Sequence, residues 1–370
     1  MKQRFTALSL FAGLLVVACV AGTVFAQEAR DPNAVPRYAV RVPHSIAETP
    51  ASTALPTWNG SFVYKNVTYK YTMVGAAPTT GKSTTIPVFI IPVALSYKSG
   101  TTTTTFSPLT KLSNGLTAVQ STEDSPIFKT MDWTTPDGVD LGTTQYEDAF
   151  QRGNFWTDIT ATPGYHLLLG TPKVAPVQTL VVPAADGSIG NEFGVKVGLA
   201  DIDWFDSQLQ SILIKLKANI KPNTLPIFIT YNAYLTEGTC CIGGYHSSFD
   251  NGGAQQAYSH FTYIGTAGVF AQDVSALSHE AGEWMDDPLV TNSGNPVQCG
   301  ILEVGDPEEG FTEDGAVDGA FPYTLNGSTY HLQDLVYLEY FGAPNTTSVD
   351  GGTESFHDNP FKLGICNNGG

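Results

Sequence analysis

The sequence predicts an α+β fold with a β-rich N-terminal part, a central unit of helix, strands and a second helix, and a loop-rich C-terminal part. Three observations predict it. Residues 61–106 are rich in β-branched and aromatic side chains, as strands are. Apolar residues recur at helical spacing over 202–216 and again over 274–284. From residue 303 onward, acidic residues and glycines alternate without either period.

The chain begins with the features of a signal peptide over residues 1–26. Lys2 and Arg4 precede a long apolar run, and residues 24–26 have the small-residue spacing of a signal-peptidase site. We therefore expect a secreted or extracytoplasmic protein. An alternative is a lipoprotein anchored through Cys19, since the residues before it resemble a lipobox.

Composition excludes some partners and suggests how the chain is divided. The formal net charge of the 370 residues is −17, and removal of Lys2 and Arg4 would make it −19, which argues against nucleic acid as a partner. Outside the signal we expect no membrane-spanning segment, because no other run is apolar for ~18 residues. We expect an extended leader or linker over 27–60, a β-rich part over 61–200 and a metal-binding part over 201–370.

Strands dominate the predicted N-terminal part. Residues 61–73 and 86–97 are strand-like, residues 98–100 begin a turn, and the threonine-rich segment 101–106 returns as a half-exposed strand. The other elements expected before residue 200 are a helix over 145–156 and strands over 165–169 and 179–182.

A stronger helix is predicted over 202–216. Asp203 or Asp206 can cap it, and Lys215 and Lys217 complement its C-terminal end. The elements expected to follow are a buried strand over 225–235, a loop over 240–253, and a strand over 257–264.

The segment LSHEAGEW, residues 277–284, carries the strongest chemical signal. Residues four apart share one face of a helix, so His279 and Glu283 can both point at one ion, with Glu280 about 100° round the axis. Apolar residues form a stripe that faces a core, while His279, Glu283 and Asp286 form a second stripe. Gly282 lowers helix propensity, which suggests that another segment approaches there.

This H-E-x-x-E block resembles the H-E-x-x-H helix of zinc peptidases. Over residues 200–310, the order of helix, strand, strand and metal helix is similar to that of zincin metallopeptidases. In the gluzincin branch a downstream glutamate completes the site, and Glu303 stands twenty positions after Glu283. The resemblance implies His279, Glu283 and Glu303 as ligands and Glu280 as the base for a metal-activated water. Asp306 would orient a ligand from behind.

The resemblance implies zinc as the metal, but the ligand set permits another divalent transition metal. Two carboxylate ligands would leave the site formally neutral, which weakens its Lewis acidity and suits harder ions such as Mn²⁺. The acidic residues between 303 and 318 form a second candidate, a loop that could bind Ca²⁺; a solvated acidic loop is the alternative.

Tyr245 and His246 follow two glycines in the predicted loop. Either ring could enter a cleft and hydrogen-bond a tetrahedral intermediate, or His246 could replace Glu303 as a ligand. The alternative is a structural histidine in a loop held by disulfides.

Four cysteines follow the signal peptide, an even number that predicts two disulfides in an exported protein. We expect adjacent Cys240 and Cys241 not to bridge each other, because that bridge would be strained, and each to pair with Cys299 or Cys366. A soft-metal site is the alternative use of these residues.

The sequence thus predicts a secreted zincin-like metallohydrolase, a peptidase acting on protein or peptide substrates. A metal-dependent esterase or glycan hydrolase is a second possibility. The alternative from a different class is a non-catalytic secreted or cell-surface β-rich protein in which Glu283 marks a degenerate site.

Overall fold

The computed structural model describes residues 37–47, 53–64, 66–134, 140–155, 159–292, 305 and 320–333. Strands hold 46% of these residues and helices 18%. The helices are α1 (Ala118–Glu123), α2 (Tyr146–Asn154), α3 (Ile202–Leu216) and α4 (Ser275–Asp286), and a short 3₁₀ helix covers Pro78–Thr80. The strands are β1 (Arg37–Val40), β2 (Thr57–Tyr64), β3 (Val67–Val74), β4 (Ser83–Ile86), β5 (Val88–Ser99), β6 (Thr102–Phe106), β7 (Met131–Thr134), β8 (Asp140–Thr144), β9 (His166–Leu169), β10 (Lys173–Val174), β11 (Gln178–Val182), β12 (Gly187–Glu192), β13 (Val195–Asp201), β14 (Leu225–Tyr231), β15 (Ala233–Glu237), β16 (Thr239–Asp250), β17 (Gln255–Tyr263), β18 (Ala320–Leu325) and β19 (Ser328–Gln333).

One curled, mixed sheet of eleven strands organises the described part of the molecule. Its main path runs β10-β5-β14-β17-β16-β15-β13-β12, with β6 and β11 also paired to β5 and β1 paired to β16. Strand β5 has parallel partners in β10, β11 and β14 and an antiparallel partner in β6. Its nearly continuous apolar sequence suits a strand that is covered on both faces.

The two faces of this sheet support two layers of core. Because side chains alternate along a strand, Ile90 of β5 belongs to one hydrophobic cluster and Ile91 to the cluster on the other face. The first cluster includes residues of α1, α2 and α4. The second includes Phe205 and Leu209 of α3. The sheet therefore separates α3 from α4.

Four two-stranded units accompany the main sheet in the described chain. They are β2–β3, β7–β8 and β18–β19, which are antiparallel, and β4–β9, which is parallel. The β18–β19 hairpin lies within the C-terminal part that the sequence predicts to be loop-rich. It pairs Ala320 with Gln333, and so brings Gln333 to the end of the hairpin.

Most locally patterned elements are confirmed. The strand-like runs correspond to β2, β3 and β5, the threonine-rich return is β6, and the helices over 145–156 and 202–216 are α2 and α3. The cap of α3 differs from the prediction, since Asp201 accepts a hydrogen bond from the Trp204 amide at 3.0 Å. Asp206 is instead buried, where it accepts hydrogen bonds from Tyr245 and Tyr258.

The predicted fold class is wrong. Four strands, β14 to β17, separate α3 from α4, where a zincin-like helix/strand/metal-helix unit would need two. The segment 240–253, predicted as a loop from its glycines and cysteines, is largely the buried strand β16. Strand β5 also pairs with β14, so the β-rich N-terminal part and the following unit share one sheet.

The expected disulfide pairing is also wrong for two of the four cysteines. Cys240 and Cys241 form a disulfide with each other, across a cis peptide bond. Cys299 and Cys366 lie outside the described residues.

No helix in the described part of the chain is long and apolar enough to cross a membrane. The expected signal peptide, Cys19 and most of the leader over 27–60 fall outside the described residues.

His260 is a buried histidine whose pKa tests how completely the core excludes solvent. Its ring is fully buried, its Nε2 lies 3.1 Å from the Thr230 hydroxyl, and the Phe205 ring contacts it in a T-shaped arrangement. Burial lowers the His260 pKa from 6.5 to about 3. Between pH 6.5 and pH 3, the unfolded chain is therefore protonated at this histidine while the folded chain is not. The folded state has its full stability above pH 6.5 and loses stability as the pH falls toward 3.

We expect the His260→Phe variant to lose less stability than the wild type over that range. One titrating group gives a difference in slope of up to about 1.4 kcal/mol per pH unit. Urea unfolding at a series of pH values measures it. Equal slopes for the two proteins would contradict a neutral, buried His260.

Candidate functional site

Helix α4 is a buried helix that nevertheless carries ionisable side chains. All twelve of its residues are buried, and it packs against β3, β16, β17, β19 and α2. A helix that is enclosed on every side normally has an apolar sequence. This one contains His279, Glu280, Glu283 and Asp286, so the energetic cost of burial falls on these four groups.

His279 and Glu283 adopt the relation that their spacing predicts. The Nε2 atom of His279 lies 3.1 Å from Oε1 of Glu283. On the other side of the ring, the Nδ1–H group donates to Oε1 of Gln333 at 2.8 Å, so Nε2 is the ring nitrogen that faces Glu283. Tyr38 stacks on the ring with centroids 3.7 Å apart.

Gln333 holds its place through its main chain. Its amide donates to the Ser278 hydroxyl at 2.7 Å, and its carbonyl accepts from the Tyr146 hydroxyl. The β18–β19 hairpin is thereby attached to both α4 and α2. A side chain that fixes the orientation of a histidine in this way is common behind metal ligands.

His246 and Glu280 form a second contact between β16 and α4. The Nε2–H group of His246 donates to the Asp287 carbonyl at 3.0 Å, so Nδ1 carries the lone pair in the neutral ring. That Nδ1 faces Oε2 of Glu280 at 3.3 Å. Burial lowers the His246 pKa, which disfavours a charged imidazolium beside the carboxylate. A proton or a metal ion between the two atoms relieves the repulsion of their lone pairs.

His246, Glu280 and Glu283 each offer one ligand atom, and these three atoms lie within 4.8 Å of one another. Two ligands that share an ion at ~2 Å lie within about 4 Å of each other. One nitrogen and two carboxylate oxygens are a donor set for zinc or a harder divalent transition metal. These three side chains could hold one divalent cation, and Glu283 is also the residue that faces His279.

Tyr245 and His246 point to opposite faces of strand β16. Neighbouring residues of β16 point to opposite faces, and the Tyr245 hydroxyl donates to Asp206 at 2.9 Å, on the α3 side of the sheet. The structure thus places the Tyr245 hydroxyl on the face of the sheet opposite His246. His246 reaches the site from a strand, where the sequence predicts a loop.

Three buried carboxylates lie near the C-terminal half of α4 besides those of Glu280 and Glu283: Asp286 in the helix, Asp287 directly after it, and Glu147 on α2. Burial raises the pKa of Glu147 and of Asp286 well above their ordinary values, and raises that of Asp287 to about 7. Backbone amides of residues 289–292 partly offset the effect at Asp287. Sequence reasoning missed Glu147, because α2 is distant in the chain and its register against α4 has no local signal.

No Lys or Arg side chain in the described part of the chain forms an ion pair with Glu147, Asp286 or Asp287. There, Arg37, Arg41 and Lys129 pair with carboxylates elsewhere, on Glu237, Asp203, Asp206 and Asp124. Buried carboxylates without cationic partners are stable only when they are protonated or bind a metal.

The other predicted site residues fall after residue 292. Glu303, Asp306 and the acidic residues up to 318 lie outside the described residues. Gly305, two positions after Glu303, is described, and its amide donates to Oε1 of Glu283 at 3.1 Å. A Cβ at position 305 would lie 2.9 Å from Nδ1 of His279, so only glycine allows this approach.

Glu192, Cys240 and Cys241 form another group with ligand atoms within 4.8 Å among the described residues. Because the two cysteines are bonded to each other, their sulfur atoms are not thiolate ligands.

Comparison with known proteins adds no identity: no protein-family model matches the chain, and no match is found among curated proteins or solved structures.

Gly244 allows Glu280 to approach β16. A Cβ at this position would lie 2.8 Å from Cγ and Oε1 of Glu280 and 3.0 Å from the His260 carbonyl. We expect Gly244→Ala to cost about 1–3 kcal/mol of stability and to weaken zinc binding by displacing Glu280. Thermal unfolding and zinc titration measure the two effects.

Gly198→Ala is the matched control, because its Cβ would meet the Tyr97 hydroxyl at 2.6 Å in another part of the sheet. It should destabilise the protein yet leave zinc affinity unchanged. Wild-type zinc affinity in the Gly244→Ala protein would contradict the role given to this glycine.

Proposed function

We propose that this protein is a metal-dependent hydrolase in which a divalent cation, zinc in the first instance, binds at the buried face between α4 and β16. A single observation carries the proposal: ring nitrogens of two buried histidines, His279 and His246, each lie beside a buried carboxylate, with separations of 3.1 and 3.3 Å. Imidazole and carboxylate groups that converge in a buried position are a donor set that suits a divalent cation.

The residues divide into two roles. His279 and Glu283 are the ligands set by helical spacing, with His279 oriented by Gln333. Glu280 projects toward β16 beside them and is the candidate base, with His246 able to hold or return its proton. When bound, the cation would polarise a carbonyl group and lower the pKa of a water molecule. Glu303 is retained as a proposed further ligand, since Gly305 contacts Glu283.

A different placement of the cation is compatible with the same cluster. The ligands would then be His246, Glu280 and Glu283, and Glu280 would not be available as a base. The two placements predict different behaviour for a Glu280 variant, so one experiment separates them.

We also propose a peptide or protein substrate, because amide hydrolysis is the reaction that the helical H-E-x-x-E arrangement most resembles. An ester substrate would use the same groups. A second candidate function is a non-catalytic, metal-stabilised β-rich protein. The observation that favours it is the burial of every residue of α4, Glu280 included.

The test compares Glu280→Gln and His279→Ala with the wild type. With His279 and Glu283 as ligands, Glu280→Gln should retain its zinc and lose at least about 100-fold in hydrolysis rate, the scale of general-base catalysis. His279→Ala should lose both zinc and activity. Zinc content by elemental analysis and a parallel panel of fluorogenic peptides and aryl esters provide the measurements.

Glu237→Gln is the control, since its carboxylate pairs with Arg37 outside the cluster. It should behave as the wild type does. Loss of zinc from Glu280→Gln would place the cation on the group containing His246. Zinc binding that raises the melting temperature, without hydrolysis of any substrate in the panel, would favour the non-catalytic function.

A further inference from the structure

Glu147 is a buried carboxylate to which the proposed hydrolytic site gives no role. It lies in the first turn of α2 and is 1% exposed. Neither of its two oxygens has a hydrogen-bond partner among the described residues. A carboxylate in this state is energetically costly unless another species occupies the space that it faces.

That space lies beside Asp286, on the stripe of α4 that also carries His279 and Glu283. Asp286 is likewise 1% exposed, and its Oδ1 accepts a hydrogen bond from Gln151 at 2.8 Å. Its Oδ2 has no partner in the described chain. Thus α2 contributes Glu147 and the orienting residue Gln151, and α4 contributes Asp286.

Gly282 creates the room for this arrangement. A Cβ there would lie 3.3 Å from Phe150 and 3.7 Å from Oε2 of Glu147. The glycine in the H-E-x-x-E block therefore marks the crossing of α2 over α4. The Glu147 carboxylate interacts electrostatically with Asp286 and with His279.

Three buried carboxylate oxygens, both of Glu147 and Oδ2 of Asp286, thus lie without a hydrogen-bond donor in the described chain. A hard divalent ion with water completing its shell is commonly held by one or two carboxylates. We propose that Glu147 and Asp286 bind a second divalent cation, of the hard class that includes Mn²⁺, Mg²⁺ and Ca²⁺.

This second site does not depend on the proposed function. Its protein ligands are all oxygen atoms, whereas the first site includes imidazole nitrogen, so the two sites should differ in metal preference. The difference allows the ions to be counted separately in one sample.

The experiment uses the purified full chain, stripped with chelator, loaded with one equivalent of Zn²⁺ and then dialysed against Mn²⁺. We expect the wild type to hold Mn²⁺ in addition to zinc, as measured by elemental analysis. Glu147→Gln should weaken Mn²⁺ binding by at least about tenfold, since even residues behind a ligand have effects of that size, and should keep its zinc. Asp286→Asn should behave in the same way and covers the case in which one variant misfolds.

Asp148→Asn is the matched control. It removes the neighbouring charge of α2, but that carboxylate already accepts bonds from Thr144 and the Leu167 amide, so Mn²⁺ binding should not change. His279→Ala should lose zinc and still bind Mn²⁺, which separates failure of this site from failure of the proposed function. Unchanged Mn²⁺ binding in folded Glu147→Gln and Asp286→Asn proteins, or no Mn²⁺ bound by the wild type, would overturn the proposal.

Discussion

The constraint on which the rest of the structure depends is the burial of ionisable side chains on α4. Every residue of this helix is enclosed, and the enclosed set includes a histidine and three carboxylates. Each isolated charge in such surroundings carries a cost of several kcal/mol. The sheet, the β18–β19 hairpin and α2 must therefore supply partners for these groups, and the proposed cation would stabilise them further.

The alternation of side chains along its strands allows the sheet to contact these buried groups on one face and other residues on the opposite face. Strand β16 presents Gly244 and His246 to α4, and Tyr245 to Asp206 beneath α3. One strand thus serves two polar clusters in separate layers of core. Gln333 completes the α4 side by orienting His279 and by joining the hairpin to α2 and α4. These contacts come from segments far apart in the chain, so formation of the cluster requires the sheet to be assembled.

Local patterns in the sequence are sufficient for some of this architecture. Helical spacing places His279 and Glu283 within 3.1 Å of each other, and apolar periodicity predicts α3 almost to its ends. Patterns of this kind cannot reveal which strands become neighbours. The parallel pairing of β5 with β14 depends on contacts distant in sequence, and it joins the predicted β-rich part and the following unit in one sheet.

The candidate site was only partly predictable, because local patterns place residues of one motif but not residues that are distant in the chain. His279, Glu280 and Glu283 lie in one short motif, whereas His246 lies in a glycine-rich segment that the composition assigns to a loop and the structure assigns to a strand. Glu147 has no motif at all; its position follows from a helix crossing at Gly282. Glycines at 244, 282 and 305 each permit a close approach to a member of the cluster, and a sequence cannot distinguish such glycines from those of turns.

The most direct test of the central claim is anomalous diffraction at the zinc absorption edge from crystals grown with Zn²⁺. The account predicts a peak inside the fold, about 2.0–2.2 Å from Nε2 of His279 and from an oxygen of Glu283. Refined density in which His279 and His246 are hydrogen-bonded directly to protonated carboxyl groups, with no anomalous peak between β16 and α4, would contradict it.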